Sequence, residues 1–90
     1  MNKSELIQAV AESADIPKAT TAKVVDAILE HIKDSLAKGD QVTLIGFGTF
    51  TVRERAARVG RNPRTGERLD IKAASVPVFK PGKALKDAVN

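Results

Sequence analysis

A chain of 90 residues, 42% apolar, has room for a single domain, and with three aromatics (Phe47, Phe50, Phe79) beside Ala, Val, Ile and Leu it can build only a light core. The absence of cysteine excludes disulfides and thiolate metal sites, and a lone histidine, His31, reads as a plain helix residue because nothing stands beside it to complete a metal site. The net charge of +4 is unevenly divided: residues 1–50 carry five Lys against seven acids (−2), residues 51–90 carry six Arg and four Lys against four acids (+6), and such a split points to a polyanion bound by the second half.

The opening stretch MNKSELIQAV is interrupted by Glu5 and Gln8, so it lacks the apolar stretch of a signal peptide. No run approaches the ~18 apolar residues of a membrane helix, which predicts a cytoplasmic protein with no membrane partner. Asn2 followed by Glu5 has the pattern of a capping box, and Leu6, Ile7, Val10, Ala11 and Ala14 recur at helical spacing, predicting a helix over 3–14. Asp15-Ile16-Pro17 breaks it, with Pro17 suited to open a second helix near its first position. There Val25, Ile28, Leu29, Ile32 and Leu36 form an apolar stripe, and Lys38-Gly39-Asp40 ends the helix with Gly39 at the C-cap. Two antiparallel helices sharing one apolar side follow.

After residue 40 the period changes. Val42 and Leu44, then Phe50 and Val52, alternate with polar neighbours as strands, with Gly46-Phe47-Gly48 a tight turn between them. Gly46-Phe47-Gly48 is not a phosphate loop, because position 51, where the third glycine belongs, is Thr51 and no helix follows. Strand character continues through Arg53 and Arg55 toward Val59. Asn62-Pro63-Arg64-Thr65-Gly66 makes a second turn, with Gly66 suited to positive φ. The chain returns as Leu69, Ile71 and Ala73 on one face and Arg68, Asp70 and Lys72 on the other. Pro81-Gly82 stops this strand, and Lys83 to Val89 form a short last helix. The expected fold class is α+β: a helical hairpin, and a three-stranded antiparallel sheet extended into a long β-ribbon arm, closed by that helix.

The arm has no core to serve. From Arg55 to Arg68 its only sizeable aliphatic residue is Val59, and a two-stranded ribbon alone is barely stable in water. Eight or nine residues per leg at ~3.3 Å each would carry it on the order of 25–30 Å outward. Its charge is almost all arginine, the residue suited to phosphate forks and groove insertion, and acids to pair with it are scarce. This predicts nucleic-acid contact. The steps Arg53 to Arg55 and Arg58 to Arg61 do not keep one strand parity, so a twist or a bulge is expected to turn both pairs toward the ligand. Turn chemistry alone accounts for Pro63. A proline at the tip of a basic arm also has the properties of a wedge, being apolar, rigid and free of a backbone N–H.

Rival readings are weaker. A winged-helix reader should present Arg, Asn or Gln from its recognition helix, but the second helix has no arginine, and Lys23, Lys33 and Lys38 are offset by Asp26, Glu30 and Asp34. A single-strand or RNA binder needs aromatic platforms, and 53–72 contains none. A module docking an acidic protein is separable by its failure to shift duplex DNA. No nucleophile, base and orienting group assemble, so the chain is not expected to be an enzyme, nor to take a cofactor or small-molecule substrate. A chain this small cannot cover its stripe Val25, Ile28, Leu29, Ile32 and Leu36 together with Leu44, Phe47, Phe50 and Phe79, so those residues are the expected core of a dimer.

The segments GFGTF at 46–50, GRNPRTGE at 60–67 and GKALKDAVN at 82–90, with MNKSELI at the start, closely resemble the bacterial histone-like family of HU and integration host factor. The likeness spans the chain in order without gaps, and the ending resembles the HU branch. It implies an intertwined dimer, homodimeric or heterodimeric with a paralogue, in one domain (1–90) with a dimerisation body of 1–52 and 73–90 and a DNA-binding arm of 53–72. It implies arms that embrace double-stranded DNA through the minor groove, favour bent, nicked or gapped duplex, and compact DNA in the nucleoid. Carried over by position, Pro63 is the intercalating wedge. Arg53, Arg55, Arg58, Arg61 and Arg64 line the arm, with Asn62 near the tip and Lys72 in the basic return leg, and Lys3, Lys80, Lys83 and Lys86 meet phosphates on the body. Pro17 departs from the family pattern, which often has a serine there.

Overall fold

The computed structural model covers all residues, Met1–Asn90. It divides into two compact units, Met1–Asp34 and Ser35–Asn90. In the first, α1 (Lys3–Ala14) starts where the Asn2 side chain accepts the Glu5 N–H at 2.8 Å, relieving one of the donors a helix N-terminus leaves open. Asp15 ends it in the left-handed region (φ 54°), and the Ile16 N–H returns to the Ala11 carbonyl at 3.1 Å. Helix α2 (Lys18–Ala37) begins one residue later than the proline rule suggests. Pro17 stands just outside it and offers its carbonyl to both the Thr21 N–H (2.9 Å) and the Thr21 hydroxyl (3.0 Å). Thr21 is fully buried; Ile7 and Ala11 are the other buried side chains of this unit.

The C-terminus of α2 closes as expected at Gly39 (φ 84°), whose N–H reaches Leu36 while the Asp40 N–H reaches Ser35, satisfying two carbonyls the helix end leaves free. Three strands follow in the order β1-β2-β5: β1 (Val42–Leu44), β2 (Gly48–Arg55) and β5 (Ala74–Pro81), all antiparallel. The β1–β2 turn lies one residue earlier than the sequence suggested. It spans Leu44 to Phe47, closed by the Phe47 N–H on the Leu44 carbonyl at 2.9 Å, and Gly48 already belongs to the strand. A separate two-stranded ladder, β3 (Arg58–Arg61) with β4 (Arg68–Ile71), forms the distal arm, and α3 (Lys83–Ala88) ends the chain.

Alternation gives the three-stranded sheet two unlike faces. Leu44, Phe50, Val52, Pro77 and Phe79 share one, where the Phe79 ring packs on Phe50 (centroids 4.8 Å apart) and on Phe47 (5.6 Å). The single chain does not cover its apolar residues. Val25, Ile32, Leu36 and Phe50 are half-buried, whereas Ile28 (53% exposed), Leu29 (51%), Leu44, Phe47 (47%) and Phe79 remain open to solvent. Every residue expected in a dimer core is thus left wholly or partly uncovered. No helix is long and apolar enough to cross a membrane.

Candidate nucleic-acid interface

The second face of the sheet is cationic. Arg53 lies opposite Val76, Arg55 opposite Ala74 and Thr49 opposite Lys80, so Arg53, Arg55 and Lys80 project to one side by strand parity. Glu54, the acid between the two arginines, is turned to the other side, where its carboxylate accepts the Ser75 hydroxyl at 3.0 Å. The sheet therefore separates its acid from its arginines rather than pairing them.

Beyond Arg55 the ribbon is interrupted. Arg55 faces Ala74 and the next paired position is Arg58 facing Ile71, so two residues on each leg, Ala56-Ala57 and Lys72-Ala73, stand outside the ladders. The count is equal on both legs. No residue is inserted, and the expected bulge, which sets two residues against one, does not form. Within β3, Arg58 and Arg61 consequently stay on opposite faces. Arg58 sits with Gly60, Leu69 and Ile71, and Arg61 with Val59, Arg68 and Asp70. The expectation that both arginine pairs turn to one side is corrected: the distal ribbon carries positive charge on both.

The tip is held by its own backbone and by Asn62. The Gly66 N–H bonds the Asn62 carbonyl at 2.7 Å, the Asn62 N–H bonds the Glu67 carbonyl at 2.9 Å, and the Asn62 side chain accepts the Arg64 N–H at 2.9 Å. Gly66 takes φ 75°, the left-handed value its place in the turn requires. Pro63 is left exposed on the outside of this turn, between Asn62 and Arg64. Arg61 donates to the Gly66 carbonyl at 3.2 Å and Arg55 to the Lys72 carbonyl at 3.3 Å.

The ion pairs are Lys3–Asp26, Lys33–Glu30 and Arg68–Asp70, so Arg53, Arg55, Arg58, Arg61 and Arg64 all face solvent without a carboxylate. Lys3 is held by Asp26 rather than free, a partnership 23 positions apart that no local pattern could reveal. Lys72 lies in the interruption. Lys80 is the last residue but one of β5, and Lys83 and Lys86 stand exposed on α3, which is tethered by the Gly82 N–H on the Phe47 carbonyl at 2.7 Å. No group of His, Asp and Glu comes together in a way that could hold a metal ion.

A sheet drawn out into a ribbon with unpaired arginines is the architecture of a β-ribbon groove binder. The sequence profile of the family described as bacterial DNA-binding protein matches residues 1–90, and the chain belongs to that family. It is 62% identical over 90 residues to DNA-binding protein HU-beta of Pseudomonas aeruginosa, covering 100% of both chains, and 64% identical over 89 residues to DNA-binding protein HU of Staphylococcus aureus, covering 99% of each. Among solved structures it is similar to the Anabaena HU–DNA cocrystal structure, with a TM-score of 0.90 at 49% identity, covering 99% of this chain and 97% of that one. HU from Thermotoga maritima is also similar, with a TM-score of 0.73 at 40% identity over the full length of both chains.

Proposed function

We propose that this protein is a histone-like architectural protein of the nucleoid, which binds duplex DNA with little regard to sequence and bends it. The observation that carries the reading is the distal ribbon with unpaired Arg58 and Arg61 on opposite faces. A minor groove is bounded by two walls of phosphate, so a ribbon charged on both faces is suited to lie between them, and groove contacts of this kind read little beyond A·T against G·C. Arg53, Arg55 and Lys80 extend the positive track along one face of the sheet, and Lys72, Lys83 and Lys86 add further phosphate contacts. Lys3 joins them by exchanging Asp26 for a phosphate. At the tip, Asn62 and Gly66 set the turn that presents Pro63 and Arg64, and Pro63 acts as the apolar wedge that unstacks a base step. The active form is a dimer, of like chains or with a paralogue, joined through the uncovered faces of α2 and the aromatic side of the sheet.

Mobility shift on intact and nicked duplexes of unrelated sequence, repeated across salt, tests this. Affinity should fall steeply and linearly in the log–log plot, by about 0.9 per neutralised phosphate, and the nicked duplex should be favoured because its deformation cost is already reduced. A preference of roughly a thousandfold among random intact duplexes, the lower end of typical specific binding, would overturn the reading.

A further inference from the structure

The interruption of the arm has one bond across it. Between the last paired position of the body sheet, Arg55–Ala74, and the first of the distal ladder, Arg58–Ile71, the only cross-strand hydrogen bond runs from the Arg55 guanidinium to the Lys72 carbonyl, at 3.3 Å. Three of the four residues there (Ala56, Ala57 and Ala73) have no side chain long enough to brace the ribbon across the gap. Beside it lies an open hollow of about 250 Å³ lined by Ala57, Arg58, Val59, Asp70, Ile71 and Lys72, with no residue of the body sheet in its wall.

We propose that Arg55 is a positioning residue: by bridging to the Lys72 carbonyl it holds the distal arm in line with the body sheet, and so aims Pro63. The inference rests on the DNA-bending reading for its purpose, though its mechanics belong to the free protein. Arginine suits the task because its planar guanidinium can hold a backbone oxygen in fixed geometry, while a lysine ammonium in the same place stays hydrated and mobile. Arg53, inside the body sheet opposite Val76, and Arg58, at the far edge of the gap, do not bridge it and have no such part.

The test is amide hydrogen exchange on the full-length free protein. Arg55→Lys keeps the charge and removes the fork. Exchange at the distal amides of Gly60, Leu69 and Ile71 should quicken by about two- to tenfold, the effect of one net hydrogen bond on local opening, while Thr51 and Val78 in the body sheet stay as they were. Adding Ala56→Val and Ala73→Val, which continuation of the register sets opposite each other, supplies a β-branched cross-strand pair and should restore slow exchange without touching residue 55. Unchanged distal exchange in Arg55→Lys overturns the proposal, as does quickening that spreads equally to Thr51 and Val78. Failure of the valine pair to slow exchange overturns it too.

A second readout separates aim from affinity. In Arg55→Lys the ratio of affinities for nicked over intact duplex should rise by about two- to tenfold, because an unaimed arm loses most where the DNA must still be bent. An unchanged ratio overturns the link to bending. If the wild-type protein shifted no duplex at all, the DNA-bending reading would fall while the exchange result stood.

Discussion

Gly48 lies beneath the ring of Phe79, so close that a Cβ on the glycine would come within 2.5 Å of the ring's Cζ and 2.7 Å of the Lys80 carbonyl oxygen. The ring could yield, but the backbone of β5 cannot without disturbing its ladder with β2. Gly48→Ala is therefore expected to destabilise the protein by about 1–3 kcal/mol, the usual range for overpacking a close contact. Urea unfolding at one fixed protein concentration measures it. A midpoint equal to that of the wild type would show that β2 and β5 can part at no cost.

The uncovered apolar face of α2 should behave as an interface. Sedimentation at micromolar concentration should report twice the 9.6 kDa chain mass for the wild type. Ile28→Glu places a carboxylate in the middle of that face and should abolish the association, with loss of helical signal, because the separated chain has little buried core. A folded wild-type species of 9.6 kDa would contradict the dimer.

Charge on the arm is not all equivalent. Arg58 has no acid beside it, whereas the Arg68 Nε donates to Asp70 Oδ1 at 3.2 Å. Arg58→Ala should reduce the salt slope of DNA binding by about 0.9, one phosphate contact, and weaken binding to all sequences alike. The double variant Arg68→Ala/Asp70→Ala removes a neutral pair and should leave the slope near the wild-type value. Equal losses from both variants would mean that Arg68 abandons Asp70 for the DNA.

Pro63→Ala tests the tip. If Pro63 serves only the turn, the bend measured by end-to-end fluorescence transfer on a short labelled duplex should not change. As a wedge, its loss should leave folding, dimerisation and phosphate contacts intact but reduce the kink, with affinity for intact linear DNA falling more than affinity for pre-bent DNA. An unchanged bend at saturating variant protein would exclude the wedge.

What was legible in the sequence was what local chemistry decides. Asn2 with Glu5 marked the start of α1, Gly39 the end of α2 and Gly66 the turn at the tip, because each answers to neighbours within a few residues. Gly48 looked like a turn residue and is a strand residue, since the reason for it is Phe79, far along the chain. The arm's arginines were plain from composition, but their sides were not. Strand parity across Ala56-Ala57 depends on what the opposite leg does at Lys72-Ala73, which no single-strand pattern contains. The pairing of Lys3 with Asp26 was hidden for the same reason: Asp26 reaches it only once the helices have packed.

Because the two legs of the arm stay in step from the sheet to the tip, the arm behaves as a ruler with paired graduations. Removing one residue from each leg near the gap would shorten its reach by about 3.3 Å and exchange the sides on which Arg58 and Arg61 stand relative to Arg53. Removing two from each would shorten it by about twice that and leave every charge on its original side. A change to one leg alone would put the whole outer ladder out of register. The reach of the arm can thus be altered by insertion or deletion only in matched steps, and its charge layout survives only when those steps are even.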